Sequence, residues 1–200
     1  MSYFPIFMDM EGKKILVVGA GKIALRRVQT LLQFHALVKV VAREIPGEQQ
    51  EAFALLVSEG KIELEEKPFE ESDLTEDLFL VLAATDVKKL NHDICALCRE
   101  RKILANTATD RTDCDFYFPA VAVKEEIVVG ITGDGSNHRK VAETAARIRE
   151  VLEIEYEQKN QSRQQGEQAG SRTVRDGHSG VEKKTSRTGN RIGDNEDNRG

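Results

Sequence analysis

Three groupings of residues in this chain are of types and spacings that could do chemistry. Gly19-Ala20-Gly21-Lys22-Ile23-Ala24 reads G-x-G-x-x-A. Small residues at those places let the backbone turn sharply and let a pyrophosphate approach a helix N-terminus, where free N–H groups and the helix dipole favour an anion. The G-K-[ST] ending of a P-loop is absent, so the turn points to dinucleotide binding; the alternative is a glycine turn that serves only close strand–helix packing. Twenty residues on, Ala42-Arg43-Glu44 stands where the second strand ends. There Glu44 would bind ribose hydroxyls and favour NAD, whereas Arg43 would accept a 2′-phosphate, and the two readings stay open. His92, Cys95 and Cys98 recur every three residues, which gathers them on one helix face. They read either as soft-metal ligands or as part of a buried face, and the second reading is favoured because cysteine is a common core residue; no metal site is assigned.

The elements that must position these residues follow from hydrophobic periodicity. Apolar runs at 13–18, 37–42 and 78–83 read as strands buried on both faces, with weaker strands at 62–64 and 103–105. Helical spacing occupies 23–35, 46–59 and 86–101. Strands alternating with helices predict an α/β fold, a Rossmann-like doubly wound parallel sheet of five strands over 12–106. Beyond Asn106 the rhythm changes: β-rich runs at 116–123 and 127–131 flank Lys124-Glu125-Glu126 as an antiparallel hairpin, and a helix covers about 137–155. A hairpin and one helix are too small to stand alone, so they should pack on the sheet or on a second copy.

Composition divides the 200 residues unevenly. Residues 156–200 hold 5 apolar residues and 7 of the 15 glycines, too little apolar surface to offset the entropy of ordering them, and are expected to be disordered. The expected organisation is a nucleotide-binding domain at 1–112, a small dimerisation and substrate-cleft region at 113–155 and a polar tail at 156–200. The formal net charge is −5, and with the tail set aside the body carries 20 Lys/Arg against 27 Asp/Glu, which argues against general nucleic-acid binding. The longest apolar run, Leu78 to Ala84, is far short of the roughly 20 residues of a membrane span. Asp9 and Glu11 stand where a signal peptide would need an uninterrupted apolar region. Three cysteines make a disulfide framework an unsuitable reading, and the chain is expected to be cytoplasmic.

Several segments taken together resemble the precorrin-2 dehydrogenase / sirohydrochlorin ferrochelatase family of siroheme synthesis. They are Phe4-Pro5-Ile6-Phe7 leading into Lys14 to Arg27, Ala83-Ala84-Thr85-Asp86 with Asn91, Asn106-Thr107-Ala108-Thr109-Asp110 leading to Cys114-Asp115-Phe116-Tyr117-Phe118-Pro119-Ala120, and Thr132-Gly133-Asp134-Gly135-Ser136. The resemblance covers about residues 3–152. It implies NAD-dependent oxidation of precorrin-2 to sirohydrochlorin, in many members insertion of Fe²⁺ as well, and a homodimer that shares the region after the nucleotide-binding domain. It places the cofactor on Gly19, Gly21, Lys22, Ile23, Ala24, Arg43, Glu44, Thr85 and Asp86.

Within that resemblance Asp110 is the candidate catalytic acid for proton handling, set against a turn-forming role, since Thr-Asp-Arg-Thr-Asp is good turn sequence. Asp113 and Asp115 are lesser candidates. Arg111, Ser136, Arg139 and Lys140 are the candidate ligands of a substrate rich in carboxylates, with Arg26 and Arg27 on the first helix behind them; Ser136 could instead cap the helix that follows. The chain departs from the family pattern in that Thr109 stands where an aspartate is usual and Asn137 replaces a proline, and the helical domain that normally covers the cleft is expected to be absent, with the polar tail in its place. Two other classes are carried beside the enzyme: an NAD-binding regulatory module without chemistry, and a degenerate member that needs a partner for turnover.

Overall fold

The structure is a computed structural model that describes residues 4–173, with side chains over 4–158. Five strands, β1 (Lys14–Val18), β2 (Leu37–Ala42), β3 (Ile62–Glu66), β4 (Leu78–Ala83) and β5 (Leu104–Thr107), pair in the order β3-β2-β1-β4-β5. Every pairing in this sheet is parallel. Parallel neighbours need crossover helices, and these are α1 (Lys22–Leu32), α2 (Gly47–Ser58) and α3 (Lys88–Glu100). This is the doubly wound architecture expected from the alternating pattern.

Strand periodicity divides the core into two layers. Ile15, Val17, Val38, Val40, Leu80 and Leu82 point to the side covered by Ala24, Val28 and Leu31 of α1 and Phe53 and Leu56 of α2. Leu16, Val18, Val41, Val81 and Ala83 face Ile94, Cys95 and Cys98 of α3. Phe53 is fully buried, a contribution of about 1.5–3 kcal/mol for such a side chain. The strands look continuously apolar in the sequence because both of their faces are covered. The chain runs from β1 outward to β2 and β3, then crosses back to β4, so the strand order reverses between β1 and β4. In open α/β sheets ligands bind outside the strand ends at that reversal.

After β5 a 3₁₀ turn (Arg111–Asp113) returns the chain, and the backbone N–H of Asp115 donates to the carbonyl of Ala105 at 2.9 Å. Segment 114–118 thus runs back beside β5, and the expected strand over 116–123 begins only at Ala120. The hairpin itself is as expected: β6 (Ala120–Lys124) pairs antiparallel with β7 (Ile127–Ile131). Its Ala122 is buried, as is Ala145 of α4 (His138–Thr173), and Arg149 of that helix donates from Nε and Nη2 to the carbonyl of Val121 at 3.1 and 2.7 Å.

The chain divides into two compact units, Met1–Leu152 and Glu153–Gly200. The first holds the sheet and the hairpin. The second is helical over 153–173, so the last helix runs beyond its expected end at Glu155. Glu, Gln, Lys and Arg are good helix formers, so local propensity favours helix over this polar stretch. The remainder of the expected tail, 174–200, lies outside the described residues. No helix among the described residues is long and apolar enough to cross a membrane.

Candidate functional site

The glycine turn sits at the sheet's C-terminal edge between β1 and α1. Gly19 has φ +108°, and its N–H donates to the carbonyl of Val41 at 2.8 Å, tying the turn to β2. A Cβ built on Gly19 would lie 2.5 Å from the carbonyl oxygen of Ala84 at the end of β4. Only glycine fits there, because both the conformation and the approach of the β4 backbone exclude a side chain. Gly21 forms the N-cap of α1 and has no side-chain cap, and a Cβ on it would meet nothing within 4 Å. The helix therefore opens with uncapped N–H groups onto free space, with no acidic residue in its first turn.

That space is a cleft of about 440 Å³, lined by Val18 to Gly21, Val41 to Glu44, Pro46, Pro68, Phe69 and the β4 loop from Ala84 to Val87 with Leu90. It brings together Gly19, Gly21, Arg43, Glu44, Thr85 and Asp86 of the expected cofactor set. The residues fit a dinucleotide on two counts: the uncapped helix end suits a pyrophosphate, and the apolar walls between Pro46 and Phe69 suit a flat base. Lys22, Ile23 and Ala24 do not line the cleft; Ala24 is fully buried beneath the turn and Ile23 is 44% exposed. Arg43 and Glu44 pair with each other at 3.6 Å, both largely exposed at the mouth.

One wall of the cleft escaped the sequence reading, and Asn91, named there only alongside the Thr85-Asp86 motif, braces another. Pro68 and Phe69 form a wall after β3, on a loop held by buried Asp73: its Oδ2 accepts the N–H of Glu70 at 2.9 Å and its Oδ1 pairs with Lys67 at 2.7 Å. The signal for this was the capping box Glu70-Glu71-Ser72-Asp73. Asn91 is fully buried and shapes the β4 loop. Its Oδ1 accepts from the N–H and hydroxyl of Thr85 at 3.1 and 2.7 Å, and its Nδ2 donates to the carbonyl of Thr85 at 3.0 Å. Thr85 is thereby turned toward Asn91, which makes it a former of the wall.

The acidic segment after β5 has a different character. Asp110 is the N-cap of the 3₁₀ turn, and its Oδ1 accepts from the N–H and hydroxyl of Thr112 at 2.9 and 2.7 Å. These bonds hold its carboxyl below the ordinary carboxylate value, and it does not line the cleft. Asp110 thus forms the turn through Oδ1. Thr109 shares a hydrogen bond with the hydroxyl of Thr107 at 2.9 Å. Asp113 pairs with His92 at 2.8 Å, and Asp115 accepts the N–H of Ala105 at 2.8 Å.

The expected substrate ligands lie apart from the cleft lining. Arg111 donates to the carbonyls of Gly133 and Asp134. Ser136 donates from its N–H and hydroxyl to Asp134 Oδ1 at 2.9 and 2.6 Å. The helix cap is instead Asn137, whose Oδ1 accepts the N–H of Lys140 at 2.9 Å. Arg139 pairs with Glu143 at 2.7 Å on the exposed face of α4, and Lys140 is exposed beside it. Arg27 is buried, with its guanidinium 5.4 Å from the Phe118 ring centroid, and burial lowers it to about 10. Cys95 and Cys98 are buried in the α3 layer, where desolvation pushes their thiols up to about 12 and about 11.

Comparison with known proteins agrees with this geometry. Residues 6–120 match a family described as "Putative NAD(P)-binding". A "Probable multifunctional siroheme biosynthesis protein HemA" of Ruminiclostridium josui is 40% identical over 149 residues, 74% of this chain and 28% of that protein. A "Siroheme synthase" of Actinobacillus pleuropneumoniae serotype 7 is 37% identical over 136 residues, 68% of this chain and 27% of its own length. The chain thus spans less than a third of these curated relatives. A solved structure titled "SirC, precorrin-2 dehydrogenase" superposes with a TM-score of 0.54 at 27% identity, covering 77% of this chain and 71% of that one. Because the family match takes in all five strands and the glycine turn that closes on Ala84, this chain belongs to the NAD(P)-binding family.

Proposed function

We propose that this chain oxidises precorrin-2 to sirohydrochlorin with NAD⁺ as acceptor. The observation that carries the reading is the glycine turn of Gly19 and Gly21 at the strand-order reversal. The similarity to a precorrin-2 dehydrogenase over 71% of that protein's length supports it. When bound, the cofactor would supply the hydride acceptor. Gly19 to Gly21 and the N-terminus of α1 would hold its pyrophosphate, and Glu44 its adenosine ribose, which favours NAD over NADP. Phe69 and Pro46 would enclose the base, and the Asn91-braced Thr85 loop would bound the side facing substrate. Arg139 and Lys140 at the start of α4 are assigned to the substrate's carboxylates.

The geometry supports dehydrogenation ahead of Fe²⁺ insertion. The position where the resemblance places an acid carries the Thr109 hydroxyl, bonded to Thr107. Asp110, the neighbouring acid, is committed through Oδ1 to Thr112 and is assigned to shaping the turn. A homodimer joined through the hairpin is supported by Val123, Ile127 and Val128, which are 38–43% exposed on a sheet of only two strands. A pair of strands that small is marginal without a further covering layer.

The test is anaerobic incubation of the purified chain with enzymatically made precorrin-2 and NAD⁺, following NADH and the macrocycle spectrum. NADH formed in step with sirohydrochlorin supports the reading. Binding of NAD⁺ without turnover would instead support a cofactor-sensing module.

A further inference from the structure

The guanidinium of Arg111 joins the turn after β5 to a loop whose Gly133 and Asp134 lie 22 and 23 residues further along the chain. Nη2 donates to the carbonyl of Gly133 at 3.3 Å and Nη1 to the carbonyl of Asp134, while the guanidinium carbon lies 4.4 Å from the centroid of the Tyr117 ring. Charged donors on backbone carbonyls make stronger bonds than neutral ones, and the ring face holds the cation in place. The next residue, Gly135, has φ +89°, and a Cβ there would overlap Nη1 of Arg111. Loop and cation are therefore fitted to each other: the loop leaves room for the guanidinium only because residue 135 has no side chain. Asp134, held from its carbonyl, anchors Ser136 through Oδ1. Asn137 then caps α4, and Arg139 and Lys140 follow in its first turns.

From this arrangement we propose that Arg111 is a latch, a positioning residue that sets the path of 133–136 and thereby the entry of α4. Its role is to hold the loop, since Nη1 and Nη2 each donate to one of the loop's carbonyls. The inference rests on the proposed function in one respect, that residues 133–140 face the tetrapyrrole. Loss of the latch should then loosen the substrate wall and leave the cofactor cleft intact, since Arg111 is not among the residues lining that cleft.

The test uses the full chain as wild type, Arg111→Ala, Arg111→Lys, Gly135→Ala and the double variant Arg111→Ala/Gly135→Ala. Hydrogen exchange of the 133–137 amides is measured with NAD⁺ affinity and with kcat and KM for precorrin-2. Arg111→Ala is expected to speed exchange at 133–137 by about tenfold and to raise KM by a similar factor, as befits loss of charged hydrogen bonds. Exchange in the sheet and NAD⁺ affinity should be unchanged, and Arg111→Lys, which keeps the charge, should recover part of the loss. Gly135→Ala should reproduce the effect by displacing the guanidinium, and the double variant should be milder than the sum of the two single changes. The proposal is overturned if Arg111→Ala raises KM with loop exchange unchanged, or if the two changes add fully. If the wild type turns over no precorrin-2, the proposed function fails, while exchange and the double-variant comparison still decide the latch.

Discussion

Replacing Gly19 by alanine tests the geometry of the cleft most directly. The added Cβ would lie 2.5 Å from the carbonyl oxygen of Ala84, 2.8 Å from its carbonyl carbon and 3.0 Å from the N–H nitrogen of Thr85. All three are backbone atoms, so no flexible side chain can give way, and β1 and β4 would have to separate by several tenths of an ångström. The left-handed φ of +108° adds strain of about 1–3 kcal/mol, and forced repacking adds about 1–3 kcal/mol. The expected loss is about 2–6 kcal/mol, read by urea denaturation with its slope unchanged. Because the displaced atoms border the cleft, NAD⁺ affinity by calorimetry should fall at least about tenfold. Gly21→Ala is the control: φ −77° and ψ 179° suit alanine and nothing lies within 4 Å. That change should cost less than about 1 kcal/mol of stability while still weakening NAD⁺ by filling the pyrophosphate space. A Gly19→Ala chain with wild-type stability and wild-type NAD⁺ affinity would refute the reasoning.

Asn91→Ala should destabilise the chain by about 2–4 kcal/mol, because it strands the N–H, hydroxyl and carbonyl of Thr85 that the amide now satisfies, and NAD⁺ affinity should fall with it. The same denaturation and calorimetry series measures both. Asp110→Asn should keep turnover within about threefold of wild type, where loss of a general base would cost about 100-fold or more. Thr112 holds the folded carboxyl of Asp110 below its ordinary value, so its stabilising effect relative to Asp110→Ala is present at neutral pH. That effect should vanish as pH falls through the folded value, which paired acid-denaturation curves would show. Cys95 and Cys98, with thiols pushed up to about 12 and about 11, should react with iodoacetamide at pH 8 about 100-fold more slowly than an unfolded thiol. Labelling at the unfolded rate would mean that the α3 layer is open.

The sheet was legible because its signals are local. Ile15 to Val18 and Leu80 to Ala83 alternate between two covered faces, so each shows as an unbroken apolar run whatever lies beside it, and β2 does the same but for Lys39. The glycine turn was legible for a related reason: a sharp strand–helix turn restricts residue type at the turn itself. The start of β6 was not. Phe116 and Phe118 are β-formers, yet segment 114–118 is held beside β5 by the carbonyl of Ala105 and the side chain of Asn106, and such long-range partners leave no mark on spacing. The length of α4 was misjudged because apolar content reports burial, whereas a polar helix needs only local propensity.

For the site, residue type alone determined that this chain carries a dinucleotide turn, and it brought Arg43 and Glu44 to the end of β2. Chain folding decided which neighbours the other candidate side chains bond to. By type Asp110 was the candidate catalytic acid and Arg111 and Ser136 were candidate substrate ligands; in the fold each bonds to a nearby hydroxyl, carbonyl or carboxylate, and Phe69, unremarked in the sequence, became a wall of the cleft. A side chain's identity sets what bonds it is able to make, and only the three-dimensional neighbourhood settles which of them it makes.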